Sequence, residues 1–118
     1  MKRALSLVAL VLLVAVASLM AADKTVTVKG ELVDTLCYAS MGAKGEGHMK
    51  CAIACAKKGI PVGLVEEGKT SKMYVLLPPK DAEPLPAAVT DHMGKVVSVT
   101  GHAYESGGNS FLTVDSVK

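Results

Sequence analysis

The stretch that decides the fold is LPAAVTDHMG, residues 85–94. Its small and apolar residues read as a short helix closed by Gly94, because glycine readily takes the left-handed conformation that ends a helix. On either side the sequence alternates with period two, the mark of half-buried strands. TVTVKGEL (25–32) places Val26, Val28 and Leu32 on one face and Thr25, Thr27, Lys29 and Glu31 on the other. Two apolar runs, 62–65 and 73–77, flank the polar turn EEGKTS, and Pro78 and Pro79 end the second run. After the short helix come KVVSVTGHAY (95–104) and SFLTVDSV (110–117), joined by the turn signal ESGGN. The order is five strands with a helix between the third and fourth. That is the order of an oligonucleotide/oligosaccharide-binding (OB) barrel. The expected fold is therefore mainly β: a small five-stranded OB-like barrel with a short second helix. A two-layer α+β sheet is the competing arrangement.

The first connection is unusually long and carries most of the chemistry. LCYASMGAKGEGHMKCAIACAKKG (36–59) contains all three cysteines, Cys37, Cys51 and Cys55, and one of the three histidines, His48. YASMGAKGEG reads as a glycine-rich loop. HMKCAIACAKK (48–58) reads as a helix stopped by Gly59, with Lys57 and Lys58 suiting the negative end of its dipole. The connection is thus expected to be a loop–helix insertion bearing the Cys/His set. At 100° per residue, positions 48, 51 and 55 fall within about 60° of one another. One helix face then presents an imidazole and two thiols, and Cys37 reaches it from the end of the first strand.

Three sulfurs and one nitrogen have the number and softness expected of ligands to tetrahedral Zn²⁺, or to Cu(I) using three or fewer of them. The expected metal ligands are Cys37, His48, Cys51 and Cys55. Met41 and Met49 add thioether sulfur nearby, and Lys50, Lys57 and Lys58 are placed to lower the thiol pKa values. Asp34 either makes a turn or orients a ligand histidine. The spacing contains no CxxC and matches no standard zinc finger. Two other readings stay open. Cys37 paired with Cys51 or Cys55 would staple the insertion to a ligand- or partner-binding barrel, whereas a thiol–disulfide redox role would use Cys51 or Cys55 to attack and Cys37 to resolve. CxxCH is absent, which disfavours covalent haem attachment.

The N-terminus, MKRALSLVALVLLVAVASLMAADKT, pairs Lys2 and Arg3 with an apolar run and then small residues at Ala21 and Ala22. It reads as a signal peptide over 1–22, followed by a single domain over 23–118 in the periplasm or secreted, with no membrane attachment after cleavage. The formal charge is +2, with 13 basic and 11 acidic residues; two of the basic ones, Lys2 and Arg3, belong to the leader. The mature chain is therefore near neutral. With three Tyr, one Phe and no Trp, it offers neither the charge nor the stacking surface that nucleic acid requires. The partners expected are a metal ion and, for delivery, another exported protein. His92 reads as a capping or surface residue and His102 as a solvated one. No nucleophile elbow, phosphate loop or carboxylate pair points to catalysis, so an enzyme is not expected.

The mature chain resembles a group of small exported bacterial OB-like proteins of unassigned function. The resemblance rests on Gly30 to Asp34 at a strand end, then Cys37, then His48, Cys51, Ala52, Cys55 and Gly59 in an H-x-x-C-A-x-x-C-x-x-x-G helix, and the later GKVVSVTG strand. It implies a shared site and leaves the activity open.

Overall fold

The computed structural model describes residues 24–118. The expected signal peptide, residues 1–22, lies outside the described residues. Strands β1 (Thr25–Asp34), β2 (Val62–Glu66), β3 (Met73–Leu77), β4 (Val96–Ser106), β5 (Asn109–Thr113) and β6 (Ser116–Val117) form one sheet in the order β1-β2-β3-β5-β4-β6. β1 also pairs with β4, which closes the first five strands into a barrel. β3 and β5 run parallel, Tyr74 opposite Ser110 through Leu77 opposite Thr113, and every other pairing is antiparallel. The mainly β barrel expected from the sequence is the fold observed.

Closure depends on two long strands that each serve two partners. β1 pairs with β4 over Thr25–Glu31 and with β2 over Gly30–Asp34. β4 pairs with β1 up to His102 and with β5 from Ala103. Glycine sits at both changeovers. A Cβ on Gly30 would strike the Val65 carbonyl, and one on Gly101 would strike the Thr113 carbonyl. A corner this tight admits only a residue without a side chain.

The interior follows from the alternation. Val28, Leu32, Leu64, Leu76, Val97, Val99 and Leu112 are buried together, with Val89 and Met93 from the connection between β3 and β4. Helix α3 (Ala87–Asp91) is that connection's short helix, and Val89 has no exposed surface.

Two expectations are corrected here. The stretch after β1 is not wholly loop: Thr35–Met41 form a helix, α1, so Cys37 stands in a first helical turn and not at the end of the strand. Asp34 caps its start, and Gly42, at φ 66°, ends it. Capping at both ends is enough to stabilise seven residues that lack an apolar repeat. The final expected strand, 110–117, is split into β5 and β6. Val114 turns into the core and donates its N–H to the Leu77 carbonyl (3.0 Å), on the β3 side, whereas Asp115 N–H already bonds the Thr100 carbonyl and Ser116–Val117 pair with β4.

Candidate metal centre

The site lies in the cap between β1 and β2. After α1, a single 3₁₀ turn (Glu46–His48) leads into α2 (Met49–Lys57). The cap loop is tied to the barrel rim by the Gly45 N–H, which donates to Glu31 Oε1. It also passes close over Gly94, where a Cβ would meet the Gly45 carbonyl at 2.8 Å. α2 turns Ala52 fully inward and packs Ile53 and Ala56 against the core. With that face buried, the helical period points Cys51 and Cys55 outward: Cys51 is exposed and Cys55 half-buried.

The three cysteines meet. The Sγ atoms of Cys37, Cys51 and Cys55 all lie within 4.8 Å of one another, and each is a free thiol. Three thiolates around one zinc or copper ion sit about 3.8 Å apart, given metal–sulfur bonds of about 2.3 Å, so the cluster fits such an ion with small side-chain adjustments. His48 falls in a second triangle, with Asp34 and Cys37, whose ligand atoms also lie within 4.8 Å of one another. Cys37 is the vertex common to both.

Asp34 joins the two triangles. Its side chain has no exposed surface. Oδ1 accepts the Cys37 N–H at 2.8 Å, and Oδ2 lies 3.0 Å from His48 Nε2. Burial raises the Asp34 pKa, but hydrogen bonds from the Cys37 backbone and thiol and from His48 outweigh it, and the net shift is downward. The group is therefore a carboxylate at neutral pH and can only accept hydrogen bonds. His48 Nε2 must then be the donor, which leaves Nδ1 of a neutral ring with the free lone pair.

Two of the thiols shift upward. The hydrogen bond to Asp34, then burial, then the nearby carboxylate and thiols push the Cys37 thiol up to about 12. Burial and the hydrogen bond with Cys51, followed by repulsion from Cys51 and Asp34, raise Cys55. At Cys37 and Cys55 the lowering by lysine expected from the sequence is not found. A cation would invert this balance, since each thiol must lose its proton to become a ligand.

Of the other candidates, Met41 is exposed at the end of α1, and Met49 packs beside Gly94. His92 Nδ1 lies 2.7 Å from the Ala88 carbonyl on α3, a local capping role. His102 is partly exposed and 3.8 Å from Asp115. A cleft of about 570 Å³ lined by Leu77, Pro78, Pro79, Lys80, Tyr104 and Thr113, among others, contains none of the cap's cysteines or histidines. Among the described residues no helix is long and apolar enough to cross a membrane. The geometry defines a small OB-type barrel whose cysteine-rich cap has side chains close enough to bind a metal ion. Comparison with protein-family models, curated proteins and solved structures finds no match to this chain.

Proposed function

We propose that this is an exported metal-binding protein that holds a soft ion on the thiolates of Cys37, Cys51 and Cys55. The observation that carries the reading is the convergence of three sulfurs at an open surface. Cu(I) is the ion that the arrangement favours. Three thiolates complete a trigonal copper site by themselves, and the exposure of Cys51 suits storage or delivery to another exported protein. Zinc would need a fourth ligand. His48 would supply it through Nδ1, with Asp34 behind Nε2, completing the Cys37, His48, Cys51, Cys55 set.

Binding suits the site better than catalysis does. A nucleophilic or redox cysteine works as a thiolate and needs a lowered pKa, whereas Cys37 and Cys55 are shifted the other way. Asp34 draws the Cys37 thiol toward itself, and in a catalytic triad the histidine would do so.

The test is elemental analysis of protein purified from the periplasm without a metal-affinity tag, with free thiols counted on the same sample. About one copper or zinc per chain, lost in Cys51→Ser, is the expected result. Retention of the metal in His48→Ala identifies a three-sulfur site, and its loss identifies the four-ligand set. No metal and a single free thiol would mean that the cysteines are a staple.

A further inference from the structure

The cap is charged unlike the rest of the chain. Residues 35–59 carry four lysines, Lys44, Lys50, Lys57 and Lys58, against one acid, Glu46. That leaves seven of the eleven lysines in residues 23–118 facing ten of the eleven acids elsewhere. All four cap lysines are exposed. Among the described residues the lysines in ion pairs are Lys29, with Glu67, and Lys72, with Glu105; none of the four belongs to such a pair. On the helical projection Lys58 falls within about 20° of Cys51, and Lys50 and Lys57 form a second row about 100–120° round from it, on the side away from His48. Lys58 therefore shares the thiol face, Lys50 and Lys57 stand to one side of it, and none of the three is spent on a salt bridge.

A trithiolate holding Cu(I) has a net charge of −2, so a lysine border offsets the charge of the loaded site. The same border repels a bare cation and attracts an anion. We propose that this face takes its ion from a small anionic Cu(I)–thiolate complex by ligand exchange. This rests on the metal-binding reading above. Copper stays Cu(I) throughout. As each bond from copper to a donor sulfur breaks, a bond to Cys37, Cys51 or Cys55 forms, and the cysteine's proton passes to the departing thiolate. Lys50, Lys57 and Lys58 hold the donor against the cap while the sulfurs change places.

The test uses two coloured Cu(I) chelates with the same nitrogen donors and opposite charge: the sulfonated bis-phenanthroline complex, which is anionic, and its unsulfonated parent, a cation. Loss of chelate colour under anaerobic mixing gives the uptake rate for the wild-type chain and for the triple variant Lys50→Glu, Lys57→Glu, Lys58→Glu. At low salt the triple variant should take copper from the anionic chelate roughly tenfold or more slowly, and from the cationic one faster. Both differences should shrink as salt screens the charges. The final copper stoichiometry should not change, and the melting temperature should fall only slightly: the side chains are exposed and make no ion pair, but Lys57 and Lys58 stand at the negative end of the helix dipole. Equal rates for the two proteins, or a slowing with both chelates alike, would overturn the electrostatic role and leave copper binding intact. Uptake from neither chelate by the wild-type protein, with its thiols still reduced, would sink the copper reading itself.

Discussion

Leu32, Leu64, Val99 and Leu112 stand in the barrel wall with no exposed surface, on four different strands, and each packs into one shared cluster. The cap between β1 and β2, residues 35–61, has one buried residue, Ala52. Its shape is set mainly by polar links: Asp34 to Cys37 and His48, Glu31 to Gly45, and the αL turn at Gly42. Apolar packing is redundant, because many residues share the burial. A polar link inside a thin cap is not, because each one positions a particular ligand. The molecule therefore combines a scaffold that resists local change with a site that one side chain can disorganise.

The largest effect should come from the barrel's corner, where redundancy does not help. Gly101→Ala places a methyl group on the Thr113 carbonyl, where the nearest atoms are backbone and cannot simply swing aside. The expected loss is roughly 3 kcal/mol or more, seen as a large fall in melting temperature or as failure to fold. A variant that melts like the wild type would show that β4 changes partners loosely, and the contrast between a rigid barrel and a fragile cap would lose its first term.

Asp34→Ala should act next most strongly and should act on the cap. It removes a helix cap, about 1 kcal/mol, and leaves His48 Nε2 without its buried partner, about 1–3 kcal/mol. Metal affinity should fall about 10–100-fold if His48 is a ligand. Asp34→Asn keeps the capping oxygen but offers His48 a donor where it met an acceptor, so it should restore only the capping part of the stability, about 1 kcal/mol, without the affinity. The pH dependence has a definite sign. The folded pKa of Asp34 is lowered, so its contribution is fully present above the ordinary carboxylate value near 4 and is lost as pH falls through the lower folded value. An acid melting profile that is the same in wild type and Asp34→Asn would remove Asp34 from this role.

Cys37 gives a sharper and more local test. In the metal-free protein its thiol is raised to about 12, first by the hydrogen bond to Asp34. Its contribution to stability is therefore present below the ordinary thiol value and is lost as pH rises toward 12. Peptide mapping after brief iodoacetamide treatment should find Cys37 largely unmodified at pH 8, with alkylation climbing only at strongly alkaline pH. Asp34→Ala should bring that climb to lower pH. Rapid modification of Cys37 at pH 8 in the wild-type protein would show that the thiol does not hydrogen-bond the carboxylate.

The barrel was legible in the sequence because burial leaves a periodic record: Val26, Val28 and Leu32, or Val97 and Val99, alternate with polar residues over whole strands. α1 left no such record, since none of its seven residues is buried. Its signals were the punctuation at its ends, Asp34 and Gly42, and those are easily read as part of a glycine-rich loop. The spacing of His48, Cys51 and Cys55 put the two thiols on one face of a helix, because helical angle is a local property; His48 itself stands in the 3₁₀ turn before that helix. The way the set divides into a sulfur triangle and an Asp34–Cys37–His48 triangle was not legible. It depends on how the end of β1 lies against the 3₁₀ turn, fourteen residues away from Asp34 in the chain.

The smallest effect should come from the molecule's other histidine–aspartate pair, and it is the control for the Asp34 argument. His102 Nε2 lies 3.8 Å from Asp115 Oδ2, with the two side chains 30% and 41% exposed. Water competes for both groups, and neither orders a helix or a ligand. An exposed pair of this kind contributes between nothing and about 1 kcal/mol. Asp34 and His48 have the same chemistry at 3.0 Å, with the carboxylate fully buried and a second hydrogen bond drawn from the first turn of α1. His102→Gln should therefore shift stability by less than about 0.5 kcal/mol and leave metal content unchanged. A shift as large as that of Asp34→Ala would mean that burial and capping are not what distinguish the two pairs. A small shift would assign the difference to the position of the carboxylate, beside Cys37 and at the start of the helix that carries it.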